Sequence, residues 1–75
     1  MNRYKNLSGE SSISLYELGI DRIIVQYCDG TNYLFTNSKT GTQNIDQMKR
    51  LAELGRGLNT YIHKHVKKLY EKKWR

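Results

Sequence analysis

The sequence predicts a two-layer α+β fold, in which a three-stranded antiparallel β meander is covered on one face by two C-terminal helices. Three observations support this class. The first half of the chain alternates apolar and polar residues, as half-buried strands do. An Asp-Gly pair separates two of these stretches, as in a β-hairpin. The last third spaces its apolar residues three and four positions apart, as one face of a helix requires.

The strands are predicted from this alternation and from the turn residues beside it. Residues 11–20 form the first strand, with Ile13 and Leu15 on one side. Residues 23–28 are rich in β-branched and aromatic side chains, and residues 31–36 return as the third strand. The Asp-Gly pair between them indicates a type I′ turn, in which both central residues have positive φ.

The first helix is predicted to follow a polar loop at residues 37–43. Asn44 is its expected N-cap, with Gln47 at the third helical position completing a capping box. Two glycines inside one long helix would cost about 1 kcal/mol each relative to alanine. The sequence therefore favours a break at the glycines of residues 55–57 over a single helix from 45 to 73.

The second helix is predicted at residues 58–70, and the functional interpretation depends on it. Both helices are expected to bury their apolar stripes on the sheet face that three strands leave bare. The predicted core consists of Ile13, Leu15, Ile23, Val25, Tyr27, Leu34 or Phe35, Met48, Leu51, Leu58, Ile62, Val66 and Leu69.

The chain of 75 residues is long enough for one small domain, which we place at residues 11–75 after a flexible N-terminal segment at residues 1–10. A single core of this size stabilises a fold by about 3–5 kcal/mol. The single cysteine, Cys28, has no partner for a disulfide, and no apolar run approaches the roughly 20 residues of a membrane span. We expect a cytoplasmic protein without a transmembrane segment.

The net charge of +6 is concentrated at the C-terminal end. Residues 1–48 carry four basic and five acidic side chains, whereas residues 49–75 carry nine basic and two acidic ones, a net charge of +7. A one-sided basic segment favours a polyanionic partner, such as nucleic acid, an anionic membrane or an acidic protein. A lysine-rich helix surface that serves only solubility is the alternative.

Metal binding and catalysis find little support in the sequence. His63 and His65 would lie about 200° apart on a helix, so they cannot chelate one ion from the same face. Acidic residues are scattered singly, and Cys28 lacks the flanking residues of a catalytic nucleophile. We therefore expect a protein that is not an enzyme and that uses no metal or cofactor.

The candidate nucleic-acid site is the basic second helix with the glycine-flanked arginine before it. Its lysines would contact phosphates, and its exposed aromatic rings would stack on bases. The alternatives are a helix–helix turn that holds an arginine by chance, and aromatic rings that pack on the sheet edge or on a second copy. The predicted site residues are Arg56, Lys64, Lys67, Lys68, Tyr70 and Trp74.

Four short motifs follow one another along the chain. They are a serine-containing first strand (Ser11, Ser12, Ile13), a second strand leading to a glycine turn (residues 23–30), an aromatic third strand (Tyr33, Leu34, Phe35) and, after a short helix, a Gly-x-x-x-Asn-x-x-Ile sequence (Gly55, Asn59, Ile62). In this order they resemble the KTSC domain family, small domains that occur alone or fused to the C-terminus of some lysyl-tRNA synthetases. The resemblance implies a compact β-β-β-α domain with a role in RNA metabolism, and it brings no catalytic residues.

Three strands followed by a basic helix are also similar to the arm-type DNA-binding domains of tyrosine recombinases, whose sheet faces the DNA. That resemblance implies base contacts from Tyr16, Gln26, Asn32 and Tyr33. The weakly acidic strand half argues against it. We therefore expect a non-enzymatic nucleic-acid-binding module, with RNA favoured over DNA. The alternative is a module for protein–protein interaction or homodimerisation.

Overall fold

The computed structural model describes residues 1–9 and 11–75, and it confirms the α+β class. Its strands form one antiparallel sheet in the spatial order β1-β2-β3-β4-β5. The described residues thus contain five strands, where the sequence predicted three. No helix in this part of the chain is long and apolar enough to cross a membrane. The elements are β1 (Asn2–Arg3), β2 (Ile13–Leu18), β3 (Arg22–Tyr27), β4 (Asn32–Thr36), α1 (Asn37–Thr40), α2 (Thr42–Leu54), α3 (Leu58–Tyr61), a π-helical segment (Ile62–Val66) and β5 (Lys72–Trp74).

The helices cover one face of the sheet, here called the helix-covered face. Ile23, Val25 and Phe35 point from it into the core and are fully buried. Leu34 lies on the opposite face. The sequence left open whether Leu34 or Phe35 belongs to the core, and the structure places Phe35 there. The buried core contains the predicted Ile13, Ile23, Val25, Phe35, Met48, Leu58, Ile62 and Val66, together with Tyr4, Ile45 and Ala52, and Tyr27 and Leu51 are partly buried against it.

Leu15 does not join the core, contrary to the prediction. The register of β2 against β3 shifts between Ile13 and Leu15, so that Ile13 pairs with Tyr27 whereas Leu15 pairs with Gln26. This β-bulge turns Leu15 to the other side of the sheet, because one extra residue reverses the alternation of side chains. We call that side the open face, since its half-buried aliphatic side chains do not pack against the core.

The turn between β3 and β4 differs in type from the predicted one. Gly30 has a φ of 90°, but Asp29 is not among the described residues with positive φ. The Gly30 amide donates to the Tyr27 carbonyl at 2.9 Å, and the Tyr27 amide donates to the Thr31 carbonyl at 2.9 Å. The connection is therefore a four-residue turn followed by a glycine bulge, in which a single residue needs positive φ.

The N-terminal residues have defined places, although the sequence predicted a flexible segment at residues 1–10. Asn2–Arg3 pairs with β2, and Tyr4 is only 3 % exposed. The Tyr4 hydroxyl accepts a hydrogen bond from the Leu58 amide at 3.3 Å, which satisfies a donor at the start of α3. A polar stretch gives no periodic signal for such a short edge strand. The last residue of the predicted segment, Glu10, lies outside the described residues.

The first long helix begins at Thr42, three residues earlier than predicted, within the expected loop at residues 37–43. A short helix, α1, forms there because the Thr36 hydroxyl accepts the Lys39 amide as an N-cap. Asn44 is therefore inside α2 and is not its N-cap. Its side chain donates to the Thr40 carbonyl at 2.8 Å and accepts the Tyr61 hydroxyl at 2.6 Å, which ties α2 to α3.

The predicted break between the helices is confirmed. Gly55 and Gly57 both have left-handed backbone, with φ values of 89° and 83°. The Gly55 amide donates to the Leu51 carbonyl and ends α2. A Cβ atom at Gly55 would also lie 2.6 Å from the Cβ atom of Lys5, so the close approach of the N-terminal segment requires glycine there.

The second helix ends at Val66, not at residue 70, and Leu69 is 38 % exposed instead of buried. Two hydrogen bonds with residues outside the helix hold the chain after Val66 away from the helical path. The Thr40 hydroxyl donates to the Leu69 carbonyl at 2.6 Å, and the Glu71 amide donates to the Leu34 carbonyl at 2.7 Å. The chain then continues as β5 along β4, so the C-terminal residues form an edge strand and not a last helical turn.

Candidate functional site

An open groove of about 630 Å³ lies on the helix-covered face, between the β3–β4 turn, the end of the π-helical segment and β5. We call it the tyrosine groove, after the three tyrosines that line it. It forms where the hairpin, the segment after the helices and the returning strand converge. Its lining residues are Ser12, Tyr27, Cys28, Asp29, Thr31, Tyr33, Ile62, His63, Lys67, Lys68, Tyr70 and Lys73.

Three half-buried tyrosines form a continuous aromatic cluster in the groove. The rings of Tyr27 and Tyr33 meet edge to face, with centroids 5.4 Å apart and an interplanar angle of 71°. Tyr33 and Tyr70 meet in the same way at 5.2 Å and 80°. Edge-to-face pairs are a favoured aromatic geometry, so each ring holds its neighbour's orientation. The cluster offers a partly pre-organised apolar surface to a planar ligand.

The Tyr27 hydroxyl connects the sheet to the helical layer. It donates a hydrogen bond to the Asn59 side-chain oxygen at 3.2 Å. Burial, and to a lesser degree the neighbouring Tyr33, raises the pKa of Tyr27 to about 12. The hydroxyl therefore remains protonated at neutral pH and continues to donate to Asn59.

This raised pKa makes stability sensitive to alkaline pH. The folded protein holds the Tyr27 proton more tightly than the unfolded chain, whose tyrosine pKa is near 10.0. The resulting stabilisation is fully present below pH 10 and is lost as pH rises through about 12. We expect the free energy of unfolding in urea to fall over this window, and to fall less in Tyr27→Phe. Equal alkaline losses in both proteins would contradict this assignment.

Three lysines stand at the groove. Lys67 and Lys68 follow the π-helical segment, and Lys73 lies on β5 with its ammonium nitrogen 5.5 Å from the centroid of the Tyr33 ring. None of the three forms an ion pair within residues 1–9 and 11–75. Among the described residues, Asp29 is the one acidic residue in the lining, and its carboxylate oxygen lies 3.7 Å from a guanidinium nitrogen of Arg75. The groove therefore combines aromatic rings with an excess of positive charge.

The carboxyl group of Asp29 is fixed at the mouth of the groove by the turn that carries it. The hydrogen bond from the Thr31 amide to the Asp29 carboxylate measures 2.9 Å and lowers the pKa of that carboxyl. Asp29 is thus ionised at neutral pH. Because its partner Arg75 offsets this charge, Asp29 leaves the three lysines of the groove without local compensation.

The structure brings together half of the predicted site residues. Lys67, Lys68 and Tyr70 line the tyrosine groove. Arg56 and Lys64 are exposed but do not line it. Trp74 lies on β5 and not on the predicted second helix, and its pairing with Asn32 places it on the open face.

Two of the groove's tyrosines, Tyr27 and Tyr33, and one of its lysines, Lys73, are not among the predicted site residues. Tyr27 and Tyr33 carry a period-two signal, since both share a strand face with Val25 and cross-strand register brings them side by side. That signal places Tyr27 in the predicted core, whereas the one functional role predicted for Tyr33 is a base contact in the recombinase-like arrangement. Lys73 carries no local signal, because β5 is specified by its pairing with β4.

The recombinase-like arrangement is wrong for this sheet. Tyr16 and Tyr33 flank Val25 in the register of β2, β3 and β4, so they lie on the helix-covered face. Gln26 and Asn32 pair with each other on the open face. The four residues that would have contacted bases are therefore divided between opposite faces of the sheet.

The histidines do not lie on a common site. His63 lines the tyrosine groove, whereas His65 contacts Tyr61 with ring centroids 4.6 Å apart. Among the described residues, no group of three His, Cys, Asp or Glu side chains lies close enough to hold a metal ion. The tyrosines and lysines of the groove can instead hold a planar ring and an anion at the same time.

The residues of the Gly-x-x-x-Asn-x-x-Ile sequence each have a structural role here. Gly55 ends α2, Asn59 accepts the Tyr27 hydroxyl, and Ile62 is buried in the core. Together they fix α3 and the start of the π-helical segment on the sheet beside the groove. In comparisons with family models, curated proteins and solved structures, nothing matches this chain.

Proposed function

We propose that this protein binds single-stranded nucleic acid in the tyrosine groove, with RNA favoured over DNA and without catalysing a reaction. One observation supports this above all. Tyr27, Tyr33 and Tyr70 form one aromatic cluster, and three lysines without ion-pair partners among the described residues border the same groove. Aromatic rings beside a cationic track are the arrangement that single-stranded nucleic acid uses, through base stacking and phosphate contacts.

The two kinds of contact lie close enough to act on one nucleotide. Lys73 holds its ammonium group above the Tyr33 ring, so a phosphate that contacts this lysine brings its base to the aromatic cluster. Stacking on an aromatic side chain contributes about 1–3 kcal/mol per base. Hydrogen bonds between lysine ammonium groups and phosphates add to the affinity. The positive charge of the lysines also speeds association.

The groove suits a single strand better than a duplex. Its volume of about 630 Å³ is within the usual range of small-ligand sites, so it admits one or two nucleotides. Bases in a duplex remain stacked and cannot enter a recess between side chains, whereas those of a single strand can be splayed out onto aromatic rings.

The preference for RNA rests on the resemblance to KTSC domains and on the groove's hydroxyl groups. Ser12 and Thr31 both line the groove, where they can exchange hydrogen bonds with a ribose 2′-hydroxyl. Arg56 and Lys64 are outside the groove, and in this proposal they contribute to the long-range positive field without contacting the bound strand.

Salt dependence tests the proposal directly. If three lysines neutralise phosphates, the logarithm of affinity should fall with the logarithm of salt concentration with a slope of about −2, from roughly −0.7 per phosphate for single strands. Fluorescence anisotropy with labelled single-stranded RNA, single-stranded DNA and duplex of mixed sequence measures this slope. Binding that is absent at low salt, or that is unaffected by salt, would overturn the proposal.

A further inference from the structure

The open face carries a row of four side chains whose order is fixed by strand register. Glu17 pairs with Ile24, Ile24 with Leu34, and Leu34 with Lys72 across β2, β3, β4 and β5. Residues paired in this way point to the same side of a sheet. The row therefore runs from an acidic side chain through two aliphatic ones to a basic side chain.

A second row lies beside the first, one pair further along the strands. Leu15 pairs with Gln26, Gln26 with Asn32, and Asn32 with Trp74. Trp74 is 39 % exposed, which is unusual for the largest apolar side chain of a small domain. These four residues have apolar side chains at the ends and two amides in the middle, and Arg3 of β1, which pairs with Leu15, extends the row beyond them.

We propose that two copies of the chain associate through their open faces, around a two-fold axis parallel to the strands and midway between β3 and β4. The rotation reverses each row, so that the residue on β2 of one copy faces the residue on β5 of the other, and the residue on β3 faces the one on β4. Glu17 then faces the second copy's Lys72, and Ile24 faces its Leu34. Each charged side chain therefore meets its opposite, and each central aliphatic side chain meets another.

The second row is self-complementary under the same axis. Leu15 faces the second copy's Trp74, which brings two apolar side chains together. Gln26 faces the second copy's Asn32, so that two amides face each other. Sheets that pack face to face keep their strands aligned to within about 30°, which this axis permits.

The pattern also selects this axis over the perpendicular one. A two-fold axis across the strands would place Glu17 on Glu17 and Lys72 on Lys72, or would move each onto an apolar neighbour. Like charges placed together at an interface oppose association. An isologous contact around the strand-parallel axis is therefore the arrangement that the charges support.

The expected dimer is weak. Strands about 4.8 Å apart and roughly 17–20 Å long give four strands a contact face of about 300–400 Å² per copy. That is about 600–800 Å² in total, below the roughly 1,200 Å² of stable specific interfaces, so we expect a transient dimer with dissociation constants in the micromolar to millimolar range. The tyrosine grooves lie on the opposite faces and point outward, so the dimer and the proposed RNA binding stand or fall separately.

Charge reversal tests the pairing between copies. Within one chain Glu17 and Lys72 are three strand spacings apart, about 14 Å, so they do not contact each other. We expect sedimentation equilibrium to show a concentration-dependent dimer, weakened at least about tenfold by either Glu17→Lys or Lys72→Glu. The double variant E17K/K72E restores opposite charges between copies and should recover most of the affinity.

Two matched controls carry the same changes elsewhere. Glu53→Lys and Arg50→Glu alter exposed residues of α2, on the far side of the sheet, and should leave the dimer intact. Circular dichroism confirms that each variant is folded. A chain that is monomeric at about 1 mM, where even a dimer with a dissociation constant of about 1 mM would be half formed, would overturn the proposal. So would a dimer that single reversal does not weaken, or one that the double variant fails to restore.

Discussion

Reversing the charge of Lys67, Lys68 and Lys73 with glutamate is expected to abolish the binding of single-stranded RNA. All three lysines border the tyrosine groove, and none forms an ion pair among the described residues. A hydrogen bond to a charged group contributes about 1.5–3 kcal/mol, so the loss of three reduces affinity by about a thousandfold or more. The new carboxylates would also repel phosphates. Fluorescence anisotropy at low salt measures the loss.

A matched triple variant separates contact from overall charge. Replacing Lys39, Arg50 and Lys64 with glutamate also takes the net charge from +6 to 0, but these residues do not line the groove. We expect this variant to bind more slowly and somewhat more weakly, because it loses long-range attraction and keeps its contacts. Equal losses in the two triple variants would mean that the groove is not the binding site.

Lys64 distinguishes two accounts of the basic region. A continuous helix would place Lys64 on the same flank as Lys67 and Lys68, so Lys64→Glu would cost as much as either. The structure instead widens the chain into a π-helical segment at Ile62–Val66 and then leaves the helix. Side chains after such a wide turn no longer follow the azimuths of a regular helix. This explains why Lys67 and Lys68 line the groove whereas Lys64 does not, although all three belong to the predicted basic helix.

The parts of the fold that the sequence predicted are those determined by local chemistry. Alternation located β2, β3 and β4, and the need for positive φ located the break at Gly55 and Gly57. Period two placed Leu34 and Phe35 on opposite faces, but only the pairing of Phe35 with the buried Ile23 shows that Phe35 is the core residue. In each case the deciding interaction lies within a few residues of the pattern that signals it.

The parts that the sequence did not predict depend on contacts between distant residues. Residues 67–74 contain neither glycine nor proline, so nothing local stops the helical pattern before β5. The Thr40 hydroxyl and the Leu34 carbonyl end it from elsewhere in the chain. Lys73 was missed for the same reason, since it reaches the groove only because β5 pairs with β4.

Replacing Phe35 with alanine is expected to unfold the protein. Phe35 is 0 % exposed and is the largest of the fully buried side chains, at the centre of the helix-covered face. Truncating a buried phenylalanine costs about 3–5 kcal/mol, because apolar contacts are lost and a cavity remains. A single core in a domain this small supplies about 3–5 kcal/mol in total, so little or no stability should remain. Circular dichroism in a urea titration measures the change.

Leu34→Ala is the matched control, because Leu34 is the preceding residue on the same strand and points to the open face. It is half-buried and does not pack against the core, so its truncation should cost about 1 kcal/mol or less. Both titrations are made at low protein concentration, where association through the open face contributes nothing. If Leu34→Ala were as destabilising as Phe35→Ala, the open face would have to be packed against part of the same chain. The proposed dimer surface would then not exist, so this pair of variants tests the assignment of the two sheet faces on which the proposed dimer depends.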